Sequence, residues 1–116
     1  MMPEPMAFAT EWIEAWNSHD LDRILSHYSD DVEISTPMLK ITTGVGDGTA
    51  RGKVAVRQYW AAALRKMPDL RFQFVDCAVG IDSIAVYYKS VLGKMAIEVM
   101  FFDTDGKVCQ VMVHYT

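Results

Sequence analysis

The sequence predicts an α+β domain in which three helices come first and an antiparallel sheet follows. Apolar residues recur at helical spacing through much of the first half of the chain, whereas the second half alternates like strands and is divided by short turns. Helices followed by hairpin-connected strands are typical of the α+β class. The length of 116 residues suits one hydrophobic core and is too short for two, so we expect a single domain over residues 1–116.

Composition and charge narrow the class of protein. Hydrophobic residues make up 51% of the chain and charged residues 22%, which is ordinary for a globular protein. No apolar run approaches the roughly 20 residues of a membrane span, and the first residues lack the pattern of a secretory signal. The net charge of -4, with basic residues scattered along the chain, argues against nucleic-acid binding. We expect a soluble protein that binds small molecules or other proteins, and no membrane or nucleic acid.

The two cysteines indicate a reducing compartment. Cys77 and Cys109 lie far apart and belong to no CxxC motif or His/Cys cluster. This spacing predicts free buried thiols rather than a disulfide, and it predicts no metal site. We therefore expect the protein in the cytoplasm.

Three segments carry the helical pattern. The first ends at Asn17, and its apolar face is Phe8, Trp12, Ile13 and Trp16. A short second helix follows the break at residues 17–20, with the apolar stripe Leu21, Ile24, Leu25 and Tyr28. The third covers residues 53–66 and is closed by Pro68; its buried side is Val56, Tyr59, Trp60, Ala63, Leu64 and Met67.

A first strand is predicted at residues 32–36, where Pro37 ends it, and four more at 70–79, 83–92, 94–102 and 107–115. Residues 38–52 form a long connection with glycines at Gly44, Gly46, Gly48 and Gly52, which indicates a mobile lid or the rim of a pocket. It does not fit the phosphate-binding pattern GxxxxGK[ST], because Asp47 stands where glycine is needed and Val54 where Ser or Thr is needed. We predict no nucleotide site and no cofactor.

The strand at 94–102 is apolar on both faces and contains one carboxylate, Glu98. One face is Ala96, Met100 and Phe102, and the other is Met95, Ile97, Val99 and Phe101. A strand covered on both sides lies centrally in a sheet, so Glu98 is expected to be buried. A buried carboxylate is costly unless it is protonated or paired. Two interpretations of Glu98 follow. It is a structural residue, either hydrogen-bonded to a partner or at a sheet edge, or it is a functional residue in a pocket.

Turn lengths predict which side chains meet Glu98. If Leu92 and Gly93 form a two-residue hairpin turn, Glu98 faces Tyr87, with Lys89 as a diagonal neighbour. Glu98, Tyr87 and Lys89 are then the candidate catalytic residues. The structural alternative is an ion pair between Glu98 and Lys89 that merely satisfies two buried charges.

The last turn predicts the other neighbours of Glu98. If residues 103–106 form that turn, Glu98 faces Val111 on the final strand. The residues that share this face are Cys109, Val113 and Tyr115. His114 points to the opposite face, and a slip of one residue in either turn would reverse these assignments.

The order of elements and four local segments resemble the nuclear transport factor two-like superfamily, close to its SnoaL-like bacterial members. The segments are WNSHDLD (16–22), YSDDVE (28–33), GKVAVRQYW (52–60) and FDTDGKV (102–108). The resemblance covers nearly the whole chain. It implies a cystatin-like cone, in which three N-terminal helices pack in a curved, mostly antiparallel β-sheet around a pocket. It also implies a homodimer formed through the outer sheet face, where Met112 and His114 should lie.

The superfamily includes ketosteroid isomerase, polyketide cyclases such as SnoaL, scytalone dehydratase, limonene epoxide hydrolase and many noncatalytic modules. Carried over by position, the catalytic aspartate of ketosteroid isomerase falls on Thr36, its oxyanion tyrosine on Trp12 and its oxyanion acid on Glu98. The base of SnoaL-type cyclases falls on Val113. Neither mechanism is complete in this chain, since threonine and valine cannot act as bases at neutral pH and the indole of tryptophan donates only one weaker hydrogen bond. The aspartate-arginine-aspartate set of limonene epoxide hydrolase is not recognisable either.

These observations predict a protein with a pocket for a small apolar molecule, with possible isomerase, cyclase or dehydratase activity on a carbonyl or cyclic compound. Protonated Glu98 would donate to a carbonyl or enolate oxygen, with Tyr87 or Tyr115 as a second donor. The predicted pocket residues are Trp12, Trp16, Thr36, Tyr59, Trp60, Met100, Val111, Val113 and Tyr115. The alternative is a noncatalytic ligand-binding or dimerisation module, which the lack of a recognisable base favours.

Overall fold

A computed structural model describes residues 2–43 and 46–116 and confirms the α+β class. The helices are α1 Pro5–Ser18, α2 Leu21–Leu25, α3 Pro37–Thr43 and α4 Lys53–Lys66. The strands are β1 Tyr28–Ser35, β2 Thr49–Arg51, β3 Gln73–Val79, β4 Ser83–Lys89, β5 Met95–Phe102 and β6 Val108–Tyr115. The three predicted helices correspond to α1, α2 and α4.

The predicted connection at 38–52 contains more structure than expected. Pro37 begins the extra helix α3 rather than a loop, and β2 pairs antiparallel with the end of β1. A proline at the first helical position is favourable because its missing N–H has no partner there in any helix. Gly44 lies outside the described residues.

The six strands form one curved, unclosed sheet in the order β2-β1-β6-β5-β4-β3. All neighbours are antiparallel except β1 and β6, which run parallel. β5 lies between β4 and β6, as its two apolar faces predicted. The inner face of the sheet, defined by Ile84, Val86, Tyr88, Glu98 and Val113, is buried beneath the helices. The outer face is defined by Tyr87, Ile97, Val99, Met112 and His114.

The turn between β4 and β5 is longer than predicted, and the register differs as a result. Residues 90–94 form the connection, closed by a 2.7 Å hydrogen bond from the Ser90 N–H to the Lys94 carbonyl. Leu92 (φ 58°) and Gly93 (φ 72°) both adopt left-handed backbone conformations. The left-handed region is strained for leucine but not for glycine, so a compact turn of this shape was not apparent from residue preferences.

This turn places Glu98 opposite Val86 instead of Tyr87. Tyr87 pairs with Ile97 on the outer face. Lys89, which points to the same face of β4 as Tyr87, is exposed at the end of the strand. Because side chains alternate between faces, a shift of one residue moves every side chain of the strand to the other face. The predicted grouping of Tyr87 and Lys89 with Glu98 was therefore wrong, and Tyr88 occupies that place.

The register between β5 and β6 is shifted by two residues from Gln110 onward, so Val111, Val113 and Tyr115 keep the predicted face, whereas Cys109, also predicted there, lies at a bulge between Val108 and Gln110. Glu98 lies opposite Val113 rather than Val111. A bulge near the start of β6 brings Val108 to a fully buried position, while Cys109 is half-buried and donates to the Phe101 carbonyl at 3.5 Å. Cys109 and Cys77 are free, as predicted, but neither is fully buried.

None of the helices in the described part of the chain has the length and apolar character that a membrane crossing requires. Across residues 2–43 and 46–116, no three His, Cys, Asp or Glu side chains cluster in a way that could hold a metal ion.

Candidate functional site

A cavity of about 650 Å³ lies between α4, the region around α3 and the inner face of the sheet. Its walls are mostly apolar, and the sheet contributes Tyr88, Glu98, Val113 and Tyr115. A mainly apolar chamber of this volume with a few polar groups is typical of small-molecule sites.

Helix α4 forms one wall of the cavity, and three of the side chains that line it there are the alanines Ala55, Ala62 and Ala63. The larger side chains of α4 that line the cavity are Gln58, Tyr59, Trp60 and Lys66. The fully buried side chains of α4 are Val56 and Trp60, which attach the helix to the core. Alanines do not reach across the space to the sheet, so a chamber remains between them.

Glu98 is the one acidic side chain among the described residues that line this cavity, and it is 6% exposed. Tyr88 donates its hydroxyl proton to Oε2 of Glu98 at 2.5 Å. Burial raises the pKa of Glu98 to about 7, although the hydrogen bond from Tyr88 acts in the opposite direction. No cation forms an ion pair with Glu98 among the described residues, so the predicted ion pair with Lys89 is absent.

Two further tyrosines, Tyr59 and Tyr115, line the same cavity. Burial, followed by the charge of Glu98, raises the pKa of Tyr59 to about 12 and also raises the pKa of Tyr115. Both phenols therefore keep their protons at neutral pH and are available as hydrogen-bond donors. The arrangement places a carboxylate of nearly neutral pKa and two neutral donors around one apolar space.

Trp12 belongs to the core beneath the cavity. It is fully buried, and its Nε1 donates to the Tyr28 hydroxyl at 2.8 Å. Its ring also packs against Phe72 and Tyr88. Trp12 falls at the position of the oxyanion tyrosine of ketosteroid isomerase. Because its single donor is engaged inside the core, it cannot take the place of that tyrosine.

The family model for the SnoaL-like domain matches residues 9–116. The chain belongs to the SnoaL-like family. A solved SnoaL-like protein of unknown function from Burkholderia thailandensis is 45% identical, with a TM-score of 0.93 over 97% of this chain and 93% of that one. The predicted resemblance is thus confirmed. No match was found among curated proteins.

More distant structures share the fold. The epoxide hydrolase/cyclase-like enzyme SalBIII, described in pyran ring formation in the polyether salinomycin, is 19% identical, with a TM-score of 0.75 over 97% of this chain and 90% of that one. IdmH from Streptomyces antibioticus, a candidate polyketide cyclase, is 17% identical, with a TM-score of 0.79 over 97% of this chain and 92% of that one. At these identities the comparison concerns the fold.

Within this SnoaL-like domain, the structure brings several of the predicted pocket residues to the cavity. They are Trp16, Thr36, Tyr59, Trp60, Val113 and Tyr115. Met100 and Val111 lie on the inner face but are fully buried in the core, as is Trp12. Helical and strand patterns identify the inward direction of a side chain, but they do not distinguish the floor of a cavity from the core below it.

Sequence reasoning missed Tyr88, although a signal for it was present. Ile84, Val86 and Tyr88 form one face of β4, and the other face ends in Lys89. A lysine favours the solvent side, and Tyr87 lies on the same face of the strand as Lys89. The position of Lys89 therefore indicated that Tyr88 rather than Tyr87 points inward. Gln58 and Lys66 of the cavity wall were also missed, since polar residues on a helix are usually exposed.

Proposed function

We propose that this SnoaL-like domain is a cofactor-independent acid–base enzyme, an isomerase or cyclase that acts on an apolar carbonyl compound. The observation that carries the proposal is Glu98, a buried carboxyl group that accepts a hydrogen bond from Tyr88 and has a pKa of about 7. A general base works best when its pKa lies near the operating pH. Perturbed carboxylates in apolar cavities are common at catalytic sites.

The proposed chemistry begins with removal of a proton from the carbon next to the carbonyl group. The ionised form of Glu98 takes this proton, and the electron pair of the C–H bond moves toward the carbonyl oxygen to give an enolate. Tyr59 and Tyr115, which line the same cavity, donate hydrogen bonds to that oxygen, where negative charge develops. In an isomerase, Glu98 returns the proton to another carbon. In a cyclase, the enolate carbon attacks a second carbonyl of the same molecule, the π electron pair of that carbonyl moves to its oxygen, and Glu98 returns the proton to this oxygen to give a hydroxyl group.

Tyr88 is a positioning residue in this proposal. Its hydroxyl donates to Glu98, so one carboxylate oxygen is held and the other, Oε1, is left to meet the ligand. Burial and the neighbouring charge of Glu98 raise the pKa of Tyr88, so that it remains a donor. In related enzymes the base falls at the positions of Thr36 and Val113, and neither of these residues can act as a base. In this proposal Glu98 has that role.

The shared fold of SalBIII and IdmH, whose descriptions concern ring formation and polyketide cyclisation, supports the cyclase form of the proposal. The second candidate is a noncatalytic ligand-binding module. It is favoured by Thr36, which stands where ketosteroid isomerase has its aspartate. The two candidates differ in whether a bound ketone exchanges its protons.

Proton exchange in D₂O tests the proposal. A panel of apolar cyclic ketones is incubated with the protein, and loss of the signal from protons next to the carbonyl is followed by NMR. We expect the protein to accelerate exchange for ketones that it binds. Binding without any acceleration would establish the noncatalytic module instead.

A matched pair of variants places the activity in the cavity. Ala63→Leu adds volume to the α4 wall, whereas Ala61→Leu makes the same change at a position of α4 that does not line the cavity. Exchange should be lost in Ala63→Leu and retained in Ala61→Leu, with circular dichroism showing that both fold. Equal loss in the two variants would assign the activity to another part of the molecule.

We also propose a homodimer through the outer sheet face. Ile97 is 40% exposed and Met112 38% exposed, and the half-buried Met95, Val99 and Phe101 continue the apolar surface along β5. A contiguous apolar face of this kind suits a self-complementary two-fold interface.

Sedimentation velocity at micromolar concentration tests the dimer. We expect a dimer for the wild type and a monomer for Ile97→Lys, because the lysine would be buried without a partner at the interface. Val54→Lys, at another exposed apolar position, is the control and should leave the dimer intact. A monomeric wild type would contradict the proposal.

A further inference from the structure

Lys66 is the basic residue of the cavity wall, and it has no acidic partner. It is the sole Lys, Arg or His among the described residues that line the cavity. No ion pair or hydrogen bond engages its ammonium group within residues 2–43 and 46–116. The cavity thus contains one cation that nothing in the described chain neutralises.

Its position on α4 places this cation away from Glu98. Tyr59, whose pKa responds to the charge of Glu98, lies about two helical turns before Lys66, which corresponds to about 10 Å along the helix axis. The pKa of Glu98 is set by burial and by Tyr88, with no contribution from Lys66. The acidic and basic groups therefore lie at separate places along one chamber.

Lys66 is exposed, while residues beside it on the wall are apolar. The methylene stem of a lysine can lie along an apolar wall while its ammonium group stays at the edge of the water. Met67 and Leu70 line the cavity next to this position, and Val91 lines it from the β4–β5 turn. A ligand that fills the chamber would meet the ammonium group with its outer end.

We propose that the ligand of this cavity is an amphiphilic organic anion, whose carboxylate or similar group pairs with Lys66 while its apolar body carries the reacting carbonyl to Glu98. This inference rests on the proposed function for the role of Glu98, and it adds the substrate class. It sets the anionic group at the Lys66 end of α4, about two helical turns beyond Tyr59. Neutral molecules with the same apolar body would bind more weakly.

Arg65, the neighbour of Lys66 on α4, is a control for a purely structural role of Lys66. Basic residues in the last turn of a helix interact favourably with its dipole, and α4 has two of them, Arg65 and Lys66. Only Lys66 lines the cavity. A role confined to the helix end would therefore be shared by Arg65, whereas ligand binding would not.

Two fluorescent probes with closely related aromatic bodies test the inference. One is 1-anilinonaphthalene-8-sulfonate, which carries a negative charge, and the other is neutral N-phenyl-1-naphthylamine. Lys66→Gln should weaken binding of the anionic probe by about fivefold, as expected for a partly exposed charge pair, and leave the neutral probe unchanged. Lys66→Arg should retain binding of both, and Arg65→Gln should change neither.

Competition between the probes, and loss of both in Ala63→Leu, would show that they occupy this cavity. Equal weakening of both probes in Lys66→Gln, or equal weakening of the anionic probe in Arg65→Gln, would overturn the inference. Failure of both probes to bind the wild type would also overturn it. Proton exchange by neutral ketones is measured separately, so a failure at Lys66 is distinguishable from a failure of the acid–base function.

Discussion

Glu98→Gln is expected to lower the rate of proton exchange in a bound ketone by about 10²–10⁴-fold, the range that a general base contributes. The amide cannot take up a proton at neutral pH, yet it has nearly the shape of the carboxyl group and can still accept the hydrogen bond from Tyr88. Ligand affinity should therefore change little. The measurement is the exchange rate at saturating ketone, together with the dissociation constant of the same ketone for each variant.

Glu98→Ala and Tyr88→Phe complete the comparison. The alanine variant should lose exchange to the same extent as the glutamine variant. Tyr88→Phe keeps the carboxyl group but removes a hydrogen bond that lowers the pKa of Glu98, so its activity should persist with the pH profile moved to higher pH. If Glu98 were instead a neutral donor to the carbonyl oxygen, glutamine would preserve most of the rate. That result would contradict the role of base.

The stability of the protein should fall by about 3 kcal/mol, through Glu98, as the pH rises from below 4.5 to above 7. Burial raises the pKa of this group from 4.5 in the unfolded chain to about 7 in the folded protein. Between these values the folded state holds a proton that the unfolded state has released. Unfolding then releases a proton, so the free energy of unfolding decreases with rising pH and levels off above the folded pKa.

Urea unfolding of the wild type and Glu98→Gln at a series of pH values isolates this effect. Other groups titrate in both proteins, so the difference between the two free energies of unfolding is the relevant quantity. As the pH rises through this window, the free energy of unfolding of the wild type should decrease relative to that of Glu98→Gln. Glu33→Gln, at an exposed position of β1, is the matched control and should show no comparable change. A constant difference between wild type and Glu98→Gln would show that the carboxyl group is not desolvated as the structure implies.

Most of the fold could be predicted because each helix and strand carries its own periodic pattern. The stripe of Phe8, Trp12 and Trp16 predicts α1, and the two apolar faces of the 94–102 segment predict a central strand, which β5 is. The helix α3 and strand β2 were missed because they are short and are held mainly by neighbouring strands. Local patterns are weakest where tertiary contacts determine the structure.

The burial of Glu98 was predictable from the same pattern, whereas its partner was not. The partner depends on the register between β4 and β5, and the register depends on the backbone conformation of Leu92. A leucine in a left-handed conformation contradicts its own preference and is maintained by the surrounding turn. The shape of residues 90–94 therefore decided whether Tyr87 or Tyr88 reached the carboxylate.

The alanine face of α4 also has a thermodynamic consequence. A core normally closes by side chains meeting across the interior, but here α4 is attached by Val56 and Trp60 while part of its inner side borders an open chamber. A ligand in that chamber supplies the missing packing contacts, but unlike a side chain it can dissociate. By mass action, a free ligand at 100 times its dissociation constant would add about 2.7 kcal/mol to the free energy of unfolding. The folded population would thus depend on the concentration of the ligand as well as on the sequence.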